Sequence, residues 1–261
     1  MNKTPIQPDL AVIPAAFHPL LQNAAIYDSS CSEAAQVYFI DLDCGYYLKR
    51  AEKDTLRTEA ELTRWWNGKG LAVPVCDYRS EEFDWLLTEA ARGEDCISPR
   101  YLAEPQRLCD TLATLLRGLH ETDPAGCPVP NRMDSYFAAA DEFYSRGSFH
   151  PSRFLTGWHW NSAEEAFRTV QEAKQALTAD VCIHGDYCLP NVMLENWQFS
   201  AFIDLGQGGV GNRHIDLYWA LWSLRYNLGT EDYSERFLDV YGRDKVDLEL
   251  LRMVCAAEAF D

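Results

Sequence analysis

The chain has 261 residues, 47% of them hydrophobic, with 23 Lys and Arg against 40 Asp and Glu and a formal charge of −17. Its length suits one large domain or two lobes sharing a cleft, and its acidity argues against a nucleic-acid partner, which needs a basic footprint. Nine cysteines run from Cys31 to Cys255 with no C-x-x-C pair and no zinc-finger spacing, so they read as reduced, mostly buried thiols rather than as a disulfide framework or a zinc site. The segment up to Phe17 is broken by Pro5, Pro8, Pro14 and Asp9, and no apolar run approaches a membrane span. A cytoplasmic protein with no membrane partner is expected.

From Gln36 to Arg50 the residues Val37, Phe39, Tyr46 and Leu48 mark two strands around the turn Asp43-Cys44-Gly45, which predicts a β-hairpin. Glu52 to Asn67 carries Leu56, Ala60, Leu62, Trp65 and Trp66 at helical spacing and ends at Gly68 and Gly70. Two further strands are expected over Val73–Tyr78 and Asp84–Thr88. Beyond the polar connector Glu94–Ser98 the pattern turns helical, with Leu108, Leu112, Leu115, Leu116 and Leu119 repeating through Pro105–His120. Further helices are expected over Ser135–Arg146, Ser162–Leu177 and in three segments across Arg213–Phe260, and Val181–Ile183 and Ala201–Ile203 read as short strands. Strands with one helix followed by helices predict an α+β chain of two lobes, residues 1–91 and 92–261.

The segment Ile183-His184-Gly185-Asp186-Tyr187-Cys188-Leu189-Pro190-Asn191, followed by Ile203-Asp204-Leu205-Gly206, carries the chemistry. Phosphoryl transfer needs an acid beside the attacking hydroxyl, and oxygen ligands for Mg²⁺, which keeps several waters and takes few protein ligands. Asp186 suits the first task, while Asn191 and Asp204 suit the second. A pair of surface turns would use the same residue types, but the order and spacing of all three groups favour chemistry. The three side chains are expected to converge on one divalent ion.

These motifs, H-G-D-x-x-x-x-N followed by I-D-x-G, resemble the protein-kinase-like phosphotransferases of small molecules, and the wider text resembles the aminoglycoside 3′-phosphotransferases in particular. The resemblance implies a protein-kinase-like fold with a small antiparallel N-terminal lobe that binds ATP or GTP and a larger, mainly helical lobe that binds the acceptor and carries the catalysis. It makes Asp186 the catalytic base and Asn191 and Asp204 the magnesium ligands. Lys49 stands where the family places its nucleotide lysine, Glu59 where its helix partner stands, Tyr47 where an aromatic stacks on the base, and Thr88 and Ala90 in the hinge segment. No G-x-x-x-x-G-K-[ST] loop is present, and the strand-entry loop from Ser29 to Ala34 has no glycine, a departure from protein kinases. His184 and Asp216 are expected to order the catalytic loop rather than to react.

The acceptor implied by the resemblance is a cationic or sugar-like small molecule. Trp158, Trp160, Tyr226, Asn227, Glu258 and Phe260 stand at acceptor positions, although Tyr226, Asn227, Ala257 and Asn212 replace acids of the family, and Asp261 adds one charge at the end. Trp158 and Trp160 suit an amine by cation–π contact or a stacked sugar, though packing is expected of at least one of them. A kinase of another small hydroxylated metabolite, choline-like, sugar or nucleoside, would share every catalytic residue. A nucleotide-binding pseudokinase is disfavoured because Lys49, Glu59, Asp186, Asn191 and Asp204 are all present, and a metal-dependent hydrolase would leave Lys49 without a purpose. A monomer or weak dimer is expected.

Overall fold

The computed structural model describes residues 3–31 and 35–260. Residues 32–34 of the expected strand-entry loop, and Asp261, lie outside the described residues. The chain forms two compact units, one of Met1–Glu94 with Met193–Gly206 and one of Asp95–Val192 with Gln207–Asp261.

The first unit holds a six-stranded sheet of β1 (Thr4–Pro5), β2 (Ala25–Asp28), β3 (Ala35–Asp41), β4 (Tyr46–Glu52), β5 (Val75–Ser80) and β6 (Phe83–Glu89), in the order β1-β2-β3-β4-β6-β5. Side-chain alternation divides its two faces. Tyr38, Ile40, Leu48, Trp85 and Leu87 point one way and bury against Ile13, Phe17 and Leu21, the last of them in the short helix α1 (His18–Leu21). Phe39, Tyr47 and Lys49 share the other face, since Phe39 pairs with Tyr47 across the strands, and Lys49 pairs with Leu86. Leu86 in turn packs with Leu56 and with Ala60 of helix α2 (Arg57–Gly68), so the helix lies over the face that carries Lys49.

The hairpin stands where the sequence puts it, and Asp43 and Gly45 in its turn have φ of 51° and 83°. Helix α2 starts at Arg57 rather than Glu52 because β4 continues its ladder to the pair Glu52–Phe83, and the buried Asp84 then accepts the Leu56 N–H at 2.9 Å, where the helix begins. The short strands β1 and β2 and helix α1 were not expected from periodicity, which four residues cannot establish.

After β7 (Glu94–Asp95) come α3 (Pro99–Leu102), α4 (Pro105–His120), α5 (Met133–Ser145), α6 (Ala163–Ala176) and β8 (Val181–Ile183). Then follow β9 (Val192–Glu195), β10 (Gln198–Phe202), β11 (Gly209–Gly211), α7 (Arg213–Leu228), α8 (Ser234–Tyr241) and α9 (Leu248–Ala257). Strand β9 turns into β10 through Asn196 and Trp197, both at positive φ as in a two-residue hairpin turn. The Phe202 N–H donates to the Leu71 carbonyl at 2.8 Å, which ties this hairpin to the first unit. Met193–Gly206 therefore groups with Met1–Glu94, whereas the expected division at 91 and 92 kept it with the later residues.

In the second unit α4 has the expected bounds and buries Leu108, Leu112, Leu116 and Leu119. Ser162 caps α6 by accepting the Glu165 N–H, and β8 pairs antiparallel with β11, Ile183 opposite Gly209. The architecture is α+β, as expected. Of the nine cysteines, all thiols outside any disulfide, Cys96, Cys109, Cys182 and Cys255 are buried while Cys31, Cys44 and Cys76 are exposed, fewer buried than expected. Among the described residues no helix is long and apolar enough to cross a membrane.

Candidate active site

In the first unit the ammonium of Lys49 donates to Glu59 at 2.8 Å and 3.1 Å and to Asp204 Oδ1 at 2.7 Å. The strand register explains the meeting: α2 sits over Leu86, the cross-strand partner of Lys49, and carries Glu59 in its first turn. Burial opposes the charge on Lys49, but the carboxylates of Glu59 and Asp204 overcome it and hold the amine well above its ordinary pKa. Lys49 is therefore a fixed positive charge. Asp204 has φ of 60°, a left-handed conformation that costs energy for a non-glycine residue and is met where function holds it. Its side chain keeps 52% exposure, against 11% for Glu59.

Tyr47 packs against Phe39 with ring centroids 5.1 Å apart and is half-buried. Thr88 stands opposite it on β6. The Ala90 N–H already donates to the Gly45 carbonyl at 2.9 Å, an extension of the β4–β6 ladder, so Ala90 has its carbonyl and methyl to offer a ligand rather than its amide.

In the second unit the loop after β8 is built around Asp186. Asn191 Nδ2 donates to Asp186 Oδ2 at 2.9 Å and to its carbonyl at 3.0 Å, and the Asp186 N–H reaches His184 Nδ1 at 3.3 Å. Behind the loop lies Asp216, fully buried, which accepts the N–H groups of His184 and Gly185 at 2.7 Å each. His120 donates to Asp216 at 3.1 Å and accepts from Tyr241 at 2.8 Å. Gly185 has φ of 83°, and a Cβ there would stand 1.9 Å from the Gln207 carbonyl, so only glycine serves. His184 and Asp216 thus order the loop, as expected. Ser223 of α7 also braces it by accepting the Leu189 N–H at 3.0 Å, a role no motif announced.

Asp216→Asn is expected to lower unfolding free energy by about 3 kcal/mol, because a carboxylate accepting three hydrogen bonds becomes an amide that can no longer satisfy both loop N–H groups. Urea unfolding measures it; an unchanged midpoint would contradict this role.

Among the described residues no three His, Cys, Asp or Glu side chains are grouped to hold a metal. Magnesium does not require such a group. In the second unit Asn191 turns its Nδ2 onto Asp186, which leaves its Oδ1 as a neutral oxygen donor, and in the first unit the half-exposed Asp204 carboxylate is a hard oxygen donor, each taken by itself. Oxygen donors of these kinds are the chemistry Mg²⁺ takes.

The acceptor positions divide. Trp160 is buried, donates its Nε1 to Thr169 at 2.9 Å and packs on Phe154, and Phe260 is buried among Tyr144, Phe149 and Phe167. Both rings are buried in aromatic packing. Trp158 is half-buried, and Tyr226 is 72% exposed with its ring stacked flat on Trp222. Asn227 spends its amide on Ser223 one turn earlier, and Asn212 caps α7. Glu258, 9% exposed, accepts the Tyr136 hydroxyl at 2.9 Å.

Residues 29–253 match the phosphotransferase enzyme family. A probable aminoglycoside 3′-phosphotransferase of Lactococcus lactis subsp. lactis is 41% identical over 260 residues, 99% of both chains. An aminoglycoside 3′-phosphotransferase of Niallia circulans is 32% identical over 208 residues, 79% of each. A solved aminoglycoside-3′-phosphotransferase of type VIII matches with a TM-score of 0.73 at 25% identity, covering 95% of this chain and 100% of that one. With an acid-bearing loop pinned by Asp216 and a lysine clamped between two carboxylates already in place, these matches over nearly the whole length show that the chain belongs to the phosphotransferase enzyme family, with a kinase-like fold.

Proposed function

We propose that the chain transfers the γ-phosphate of a nucleoside triphosphate to the 3′-hydroxyl of an aminoglycoside. The observation that carries this is Asp186, whose carboxylate is aimed by Asn191 on a loop whose backbone is fixed by Asp216, in a chain 41% identical over its length to a protein named for that reaction. Asp186 accepts the proton of the acceptor hydroxyl as its oxygen bonds to phosphorus, and the bond from phosphorus to the leaving nucleoside diphosphate breaks. Lys49, kept charged by Glu59, neutralises the nucleotide phosphates, and Tyr47, Thr88 and Ala90 line the base. Magnesium, when bound through Asn191 and Asp204, screens the phosphate charge. Trp158, Tyr226, Asn227 and Glu258 receive the acceptor. All these groups come from one chain, which we read as a monomer or weak dimer acting in the cytoplasm.

A second reading, a kinase of another small hydroxylated metabolite, draws on Tyr226, an exposed aromatic where the family carries an acid. Mass spectrometry across aminoglycosides and plain hydroxylated metabolites decides between them. An aminoglycoside should gain about 80 Da, one phosphoryl group, and its counterpart lacking the 3′-hydroxyl should not. A gain on a plain metabolite alone would replace the first reading by the second.

A further inference from the structure

We propose that Lys3 is a further nucleotide contact, a cation that receives the α-phosphate beside the ring of Tyr47; this rests on the reading of Tyr47, Thr88 and Ala90 as the lining of the base. All four residues belong to the first unit. Register sets Pro5 opposite Tyr27, Tyr27 opposite Phe39, Phe39 opposite Tyr47 and Tyr47 opposite Thr88, so one row of partners runs across β1, β2, β3, β4 and β6. Cross-strand partners share a face, and this is the face that carries Lys49. Ring centroids are 6.1 Å apart from Tyr27 to Phe39 and 5.1 Å apart from Phe39 to Tyr47. Lys3, just before β1, lays its ammonium 3.0 Å from the Phe39 centroid and 5.8 Å from that of Tyr47. Lys3 is exposed and both rings are half-buried, so the charge and the aromatic surface beside it are reachable by a solute.

Tyr47 has a lateral neighbour on each side, Thr88 on β6, from which the chain runs on to Ala90, and Phe39 on β3. The amino-bearing edge of a purine and its sugar-bearing nitrogen lie on opposite sides of the ring system. A base that stacks on Tyr47 and meets the Ala90 carbonyl with its amino edge therefore turns its ribose and first phosphate toward Phe39 and the Lys3 ammonium. Lys49 already stands between Glu59 and Asp204, one positive charge against two negative, so a second cation on the same face helps to offset the charge of a triphosphate. An aromatic face holds an ammonium in place without cancelling its charge, which leaves its N–H groups to donate to a phosphate oxygen.

Lys3→Met keeps an unbranched side chain over Phe39 and removes the charge. KM for ATP, or for GTP where that is the nucleotide used, should rise roughly five-fold, while kcat and the acceptor KM stay within about two-fold of wild type. Added salt should shrink the difference, because it screens an exposed charge pair. Free adenosine or guanosine, which lacks the phosphate, should compete with the nucleotide equally well in both enzymes, and Lys3→Arg should keep the wild-type KM within about two-fold. A merely structural role would weaken nucleoside and nucleotide alike. An unchanged nucleotide KM in Lys3→Met, an equal loss for the free nucleoside, or a loss as large in Lys3→Arg overturns the assignment. A wild type that uses neither ATP nor GTP defeats the proposed function itself and this contact with it, and that control tells the two failures apart.

Discussion

Asp186→Ala is expected to lower kcat for phosphoryl transfer by about 10²- to 10⁴-fold, the usual worth of a positioned general base. The substitution removes the one carboxylate oxygen that Asn191 Nδ2 orients, yet the loop that carries it is anchored elsewhere, by Asp216 to the His184 and Gly185 amides and by Ser223 to Leu189. The fold and nucleotide affinity should therefore survive. Single-turnover kinetics with saturating nucleotide isolates the chemical step, and a rate equal to wild type there would remove Asp186 from the mechanism.

Asp204→Asn is expected to lower transfer by roughly 10²- to 10³-fold, the scale for loss of one preorganised electrostatic group at the reacting phosphate. The size and shape of the side chain are retained, and Lys49 still has Glu59 at 2.8 Å, so its charge stays paired and in place. What changes is the negative oxygen offered to magnesium. The concentration of magnesium needed for half-maximal rate should rise in this variant and stay constant in Asp186→Ala; an unshifted magnesium titration in Asp204→Asn would take Asp204 out of the metal site.

Much of the architecture was legible where a single physical signal dominated. Helix α4 came out with its observed bounds because its leucines repeat on one face and proline opens it. The Asp186 loop was legible because its residue types are both turn formers and chemistry carriers, and because Gly185 occupies a conformation and a space that exclude a side chain. The start of α2 was not, since the residues before it are held by pairing with β6 rather than by their own propensity. Aromatic residues hid their roles for a related reason: residue type does not say which side of an element faces inward. Trp160 and Phe260 are buried while Tyr226 stands in solvent. The bond from Tyr136 to Glu258 joins residues 122 positions apart and leaves no local trace in the sequence.

Phosphorus–proton correlation spectroscopy of the purified product reads out which acceptor oxygen received the phosphate, and so addresses the proposed reaction at the bond it forms. Incubated with an aminoglycoside, nucleoside triphosphate and magnesium, the wild-type chain should yield phosphorus coupled to the proton on the 3′ carbon, and Asp186→Ala should yield no such signal. Coupling at a different carbon, or the same signal growing at the same rate from Asp186→Ala, would contradict the account.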